Sequence, residues 1–206
     1  MQKDDERTII EQAKTDPQAF GVIFDRYYPK ILAYTVRRTS SVVIAEEIVS
    51  ETFIKAYKNV SKFRWRGISI EAWLFRIAVN ELRMYFRHNS QTVSLDELFQ
   101  QEGFEPQADY DLAEEALEAQ ERLARHKQFV RAQELIRRLP LDYQDVLMLR
   151  YVEQKKVSEI AQIVNKKEGT VKSLLSRGLA RLRTELARTP LQPNTHKRII
   201  KGEGND

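Results

Sequence analysis

Apolar side chains that return every three or four residues, over stretches that Gly and Pro seldom interrupt, restrict this chain to packed helices. From residue 16 to residue 88 the rhythm hardly breaks. Asp16-Pro17 reads as a helix N-cap followed by proline at the first helical position. Phe20, Ile23, Phe24, Tyr27 and Tyr28 then form a stripe, and Ile31, Tyr34, Thr35 and Arg38 carry it past Pro29. A second amphipathic helix is expected from Ala45 to Tyr57, with Ile48, Val49, Thr52, Phe53 and Ala56 on one face and Glu46, Glu47, Ser50 and Glu51 towards the other. The segment from Phe63 to Ile70, with Gly67, breaks the pattern; Glu71 to His88 is expected as a third long helix, with Trp73, Leu74, Ile77, Ala78 and Leu82 along one face.

Beyond residue 88 the periodicity fades. Asn89-Ser90-Gln91, Gly103 and Pro106 punctuate an acidic stretch that reads as a linker, although Leu112 to Phe129 has helix-forming composition. Periodicity returns with Leu135, Ile136 and Leu139, stops at Pro140, and resumes from Asp142 to Val152, Lys156 to Val164 and Glu168 to Leu186. The expectation is an all-α chain of two small helical domains joined by a flexible acidic linker. The expected boundaries are 1–90 and 131–187 for the domains, 91–130 for the linker, and 188–206 for a polar, disordered tail. Charge follows this division. Lys and Arg number 15 against 11 Asp and Glu in 1–90, 3 against 10 in 91–130, and 16 against 9 in 131–206. Two basic blocks flanking an acidic one fit a polyanionic partner, or merely a well-solvated surface.

The segment from Val157 to Lys172 carries the sharpest local signal. Ile160, Ala161 and Val164 make the inner face of a short helix, and small Ala161 admits a second helix close across it. Asn165 falls where the first helix must stop, and asparagine tolerates the left-handed backbone that such a stop requires. Glu168 opens the next helix, where its charge suits the positive end of the dipole. That helix buries Val171, Leu174, Leu175, Leu179 and Leu182. Two helices joined so tightly describe a DNA-binding helix-turn-helix. Its outer face presents Thr170, Lys172, Ser173, Ser176 and Arg177 towards base edges; Arg181 and Arg183, farther along, suit phosphates.

Other chemistries lack their residues. There is no cysteine, hence no disulfide and no thiolate metal site. His88, His126 and His196 are too scattered for metal-ligand spacing, and no glycine-rich phosphate loop or nucleophile elbow occurs. No enzyme activity, metal or cofactor is expected. The polar start of the chain is no signal peptide, and no apolar run approaches the roughly 20 residues that span a bilayer. A cytoplasmic protein with no membrane insertion is the expectation.

The run Ala45-Glu46-Glu47-Ile48-Val49-Ser50-Glu51-Thr52-Phe53-Ile54-Lys55-Ala56-Tyr57 resembles the polymerase-binding helix of sigma factors. Trp73-Leu74-Phe75-Arg76-Ile77-Ala78-Val79-Asn80, ending in Tyr85-Phe86-Arg87, resembles their promoter-melting helix. Leu139-Pro140 and Glu168-Gly169-Thr170-Val171-Lys172-Ser173 resemble their second module, in the order of the extracytoplasmic-function (ECF) sigma factors. The chain departs from that pattern at Ser50, usually glutamine, at Lys156 and Lys167, often a capping serine, and at Leu174, usually basic or polar. The resemblance implies a subunit that binds core RNA polymerase and directs promoter recognition and melting for a stress or envelope-signal regulon, under the control of an anti-sigma factor. It implies polymerase contacts at Glu47, Ser50 and Glu51, and contacts to the melted downstream element at Trp73, Arg76, Asn80, Tyr85 and Arg87. It places Thr170, Lys172, Ser173, Ser176, Arg177 and Arg181 on duplex DNA of the upstream element. On pattern alone Trp73 serves the core as readily as a base stack, and Trp65 in the breaker packs locally or meets a base. The linker is either a solvated tether or a nucleic-acid mimic. The rival reading is a dimeric helix-turn-helix regulator that binds an operator without polymerase; it accounts for residues 131–187 but not for the motifs between Ala45 and Arg87.

Overall fold

The computed structural model describes residues 3–64, 68–89 and 130–188, and every regular element among them is helical. The expected linker, the helix-forming stretch within it, Trp65 and the tail beyond residue 188 lie outside the described residues. The N-terminal bundle comprises α1 (Lys3–Ala13), α2 (Pro17–Thr39), α3 (Val42–Asn59) and α4 (Ile70–Asn89). The C-terminal bundle comprises α5 (130–137), α6 (Leu141–Leu147), α7 (Val157–Ile163) and α8 (Glu168–Arg188).

Helix ends follow local side-chain chemistry. Asp16 Oδ1 accepts the N–H of Gln18 at 2.9 Å with Pro17 opening α2, as the Asp-Pro pair predicts. Ser40, at φ 58°, closes α2 through its N–H to the Val36 carbonyl, and Ser41 at once caps α3. Pro29 removes one rung from α2, yet the helix continues because Ile31, Tyr34, Thr35 and Arg38 beyond it are all buried. Ser69 Oγ accepts the N–H of Ala72 at the start of α4.

α1 is absent from the sequence reading. Ile10 and Ala13 are buried against α2, and Glu6 reaches across the bundle to accept the backbone N–H of Ile70 at 3.2 Å. The first helix thus satisfies an otherwise orphaned donor at the start of α4. α4 is buried more broadly than its single stripe suggests: Phe75 and Val79 join Leu74, Ala78 and Leu82 in the core, with Phe75 edge-on to Tyr34 at 5.2 Å.

In the C-terminal bundle, Gln144 Nε2 donates to the carbonyls of Arg137 and Leu139 at 2.8 and 2.7 Å, sealing the end of α5 onto α6. The periodicity from Asp142 to Val152 suggests one helix; instead α6 widens into a π turn over Met148–Val152. α7 lacks a capping serine at Lys156, but Glu159 still accepts the Lys156 N–H at 2.8 Å, half of a capping box. Gly178 lets α8 lie close on α6: a Cβ there would meet Leu147 Cδ1 at 3.2 Å and Tyr143 Cβ at 3.4 Å.

Candidate nucleic-acid and polymerase interfaces

The turn between α7 and α8 is the tight one that Asn165 predicts. Asn165 adopts φ 52°, and the Lys166 N–H closes back on the Ala161 carbonyl at 3.0 Å. Ile160, Ile163 and Val171 are fully enclosed, and Ala161 and Val164 are buried beside them, which fixes the angle between the two helices. Thr170, Lys172, Ser173, Ser176, Arg177 and Arg181 all lie exposed on α8, while Val171, Leu174, Leu175 and Gly178 face inward. Leu174, which replaces a usually polar residue, is therefore a packing residue. Arg177 Nε donates to the Ser173 carbonyl at 3.3 Å, and the Arg181 guanidinium lies over the Tyr143 ring at 4.9 Å. A rigid helix thus offers hydroxyls and cations in its first three turns, the inventory that reads major-groove base edges and phosphates.

On the N-terminal bundle, α3 and α4 enclose an open groove lined by Lys55, Asn59, Lys62, Phe63, Trp73, Ile77, Asn80 and Glu81. Trp73 is half-buried and packs on Phe63 at 5.0 Å, so it is both a wall of the bundle and an available ring face. Lys55 is tied to Glu81 at 2.6 Å, and Asn80 is exposed. Such a groove offers an aromatic platform, cations and an amide, which suits an unstacked base with its phosphate. Lys55, Asn59, Lys62 and Phe63 line the groove although the sequence analysis does not single them out; Lys55 and Asn59, four residues apart, share a stripe at the end of α3, and Lys62 follows three residues later in the short 3-10 turn Val60–Lys62.

The structure does not gather every expected melting residue in that groove. Trp73 and Asn80 line it. Tyr85 packs edge-on against Phe86 at 5.4 Å, and Arg87 Nε donates to the Arg83 carbonyl at 3.2 Å. Arg76 turns to the C-terminal bundle, where Nε and Nη2 both donate to the Gln162 carbonyl, Nε at 2.8 Å.

Glu47, Ser50 and Glu51 are exposed on α3, with Val43 and Ile54 exposed in the same stripe, opposite buried Ala45, Ile48, Val49 and Thr52. This face, acidic with an apolar edge, has the character of a protein-docking surface for a basic partner.

Arg38, which the sequence rhythm placed on the buried stripe, sits with no solvent exposure of its side chain. Burial works against its charge, but Tyr34, at 2.9 Å, and Asp145, at 2.5 Å, hold its pKa above the usual arginine value, so it remains a cation. Burial also pushes the Tyr34 hydroxyl up, keeping it a neutral donor and acceptor.

A helix-turn-helix unit attached to a second helical bundle defines a class of multi-domain DNA-binding proteins, and comparison narrows it. The family Sigma-70 region 2 matches residues 23–92, and Sigma-70, region 4, matches residues 129–182. The ECF RNA polymerase sigma factor SigW of Bacillus subtilis is 34% identical over 185 residues, spanning 87% of this chain and 95% of that protein. The RNA polymerase sigma factor YlaC of the same organism is 30% identical over 177 residues, spanning 86% and 95%. Among solved structures, CnrH in complex with the cytosolic domain of CnrY covers 90% of this chain and 99% of its own, at 20% identity and a TM-score of 0.62, a likeness of fold. The chain belongs to the ECF RNA polymerase sigma factors.

Proposed function

We propose that this chain converts core RNA polymerase into a promoter-specific holoenzyme, and that it is a non-catalytic, cytoplasmic initiation factor. The observation that carries the reading is the pairing, in one chain, of an exposed recognition face on α8 with an aromatic, cation-rimmed groove on α3 and α4. A duplex-reading helix alone would suit a repressor; the groove supplies what a melted strand needs. Domain roles follow. Residues 1–90 bind core polymerase through Glu47, Ser50 and Glu51 and take the minus-ten element with Trp73 and Asn80, joined by Lys55, Asn59 and Lys62. Arg76, Tyr85 and Arg87, on α4 but outside that groove, serve the same strand once Arg76 leaves Gln162. Residues 131–187 read the minus-thirty-five element with Thr170, Lys172, Ser173, Ser176 and Arg177, with Arg181 on the backbone.

Control by an anti-sigma factor belongs to the same reading. CnrH was solved bound to the cytosolic domain of CnrY, and a fold-level relative, the sigma factor RpoE of Bartonella quintana, was solved with the anti-sigma factor NepR. No helix among the described residues is long and apolar enough to cross a membrane.

The test is co-assembly. Purified chain, core polymerase and promoter DNA from the source genome are combined in pairs and together. A stable complex with core, and DNA retention only when both proteins are present, is the expected outcome. Tight, specific binding of duplex DNA by the chain alone would favour the operator-binding regulator instead.

A further inference from the structure

One face of α4 continues past the groove. Trp73, Ile77, Asn80, Met84, Arg87 and His88 recur at helical spacing, and at about 100° per residue they fall within about 50° of a single direction. Leu74, Phe75, Ala78, Val79 and Leu82 fill the opposite side and are buried.

Two kinds of surface follow one another along this stripe. At Trp73, Ile77, Asn80 and Glu81 the end of α3 and Phe63 supply a facing wall, and together they enclose the groove. None of the residues that line it lies beyond Glu81. From Met84 onward the face is open helix surface: Met84 is 53% exposed, and Arg87 and His88 are exposed after it. A groove with two walls encloses an unstacked base. A bare helix face has no second wall to hold one, but it fits the major groove of paired DNA, about 12 Å across.

The spacing agrees. Met84 stands 11 residues beyond Trp73, about 16 Å along the helix axis. Paired DNA advances about 3.4 Å per base pair, so Met84 reaches about five base pairs from the base held at Trp73. On the reading of α4 as the melted-strand helix, on which this inference rests, the strand that is unstacked at Trp73 is paired at Met84, and Arg87 meets its backbone there.

Met84 is the one large apolar side chain exposed on α4 among the described residues. Isolated apolar side chains on a surface are common; this one is set apart by its register between Asn80 and Arg87, on the face turned to DNA. Its thioether is flexible and polarisable but a poor hydrogen-bonding group, so it cannot sort the donors and acceptors of base edges. The major groove carries one apolar mark, the 5-methyl group of thymine.

We propose that Met84 is a specificity-determining residue: it packs on the 5-methyl group of a pyrimidine in the duplex bordering the melted element, and so favours thymine at that position. Covering one methyl group is worth about 0.8 kcal/mol, about fourfold in affinity.

The test pairs the side chain with the methyl group. Every base pair contains one pyrimidine, so each position within one helical turn of the melted element can be made with and without a 5-methyl group: thymine against uracil, 5-methylcytosine against cytosine. Holoenzyme binding to these probes is measured for the unaltered chain, Met84→Ala and Met84→Leu. The side chain is exposed and all three residues are strong helix formers, so the fold is kept. The unaltered holoenzyme should bind the methylated probe about fourfold more tightly at one position. Met84→Leu should keep most of that preference, and Met84→Ala should reduce it to less than about 1.5-fold at that position alone. If every methyl preference survives Met84→Ala, or none exists at any position, the proposal is overturned and the functional reading stands. If the unaltered chain forms no promoter-specific holoenzyme, the functional reading fails and the proposal falls with it.

Discussion

Arg177 and Arg181 lie one turn apart on the exposed side of α8, yet the structure gives them different surroundings, and that difference predicts different losses. Arg177 is exposed, with Nε on the Ser173 carbonyl at 3.3 Å, a long bond that holds the guanidinium against its helix at little energetic cost to release. If it makes a bidentate contact to guanine, Arg177→Ala should cost about 1–3 kcal/mol of specific binding, roughly five- to 150-fold, confined to one base position. Folding stability should change by less than about 0.5 kcal/mol. Arg181 lies 4.9 Å from the centre of the Tyr143 ring, which fixes the α8 cation against α6. Arg181→Ala should therefore cost about 0.5–1 kcal/mol of stability through the lost cation–π contact. It should weaken binding to all sequences alike, lowering the slope of log affinity against log salt by about 0.9. The assay is holoenzyme binding to a library of minus-thirty-five variants at two salt concentrations, with thermal melts of each free variant. Uniform loss across the library for both variants would refute the register assigned to α8.

Charge reversal at Glu47 and Glu51, one turn apart and both exposed, should weaken co-purification with core polymerase while leaving helical circular dichroism unchanged; unaltered core affinity contradicts the docking face. Gly178→Val should destabilise the C-terminal bundle by about 1–3 kcal/mol in denaturant titration, because even a Cβ at that position approaches Leu147 to 3.2 Å. Burial raises the Glu71 carboxyl pKa, but Lys155 and Lys30 outweigh burial and hold it below its ordinary value. Its stabilising contribution is therefore complete above the unfolded value of about 4.3 and is lost as pH falls through the lower folded value. Glu71→Gln should flatten the acid limb of the stability profile below that pH, and an unchanged limb would remove Glu71 from the account.

What was readable in advance tracks how local the cause is. Asn165 announced its turn because the left-handed backbone is a property of one residue, and the exposed face of α8 followed from a period of 3.6. The π turn at Met148–Val152 and the close approach at Gly178 depend on what packs opposite, so periodicity merged the first into one helix and passed over the second. α1 went unseen because charged residues dominate it, while its contribution consists of Ile10, Ala13 and the reach of Glu6 to Ile70. The buried ion pair was the least accessible. Arg38 and Asp145 stand 107 residues apart; the rhythm of α2 puts Arg38 on the buried stripe, but Asp145 reads as an ordinary charge, and only their shared burial reveals the pairing. Arg76 was identified as a DNA residue from its neighbours in sequence, but its partner here, the Gln162 carbonyl, is a backbone atom that no side-chain pattern can signal.

The most direct test of the central claim is run-off transcription on a genomic fragment library from the source organism, with purified core polymerase in the presence and absence of this chain. Discrete start sites that share an upstream and a downstream element, and that vanish when the chain is withheld, are the predicted result. Transcripts that are equally sparse and unspecific with and without the chain would contradict the claim.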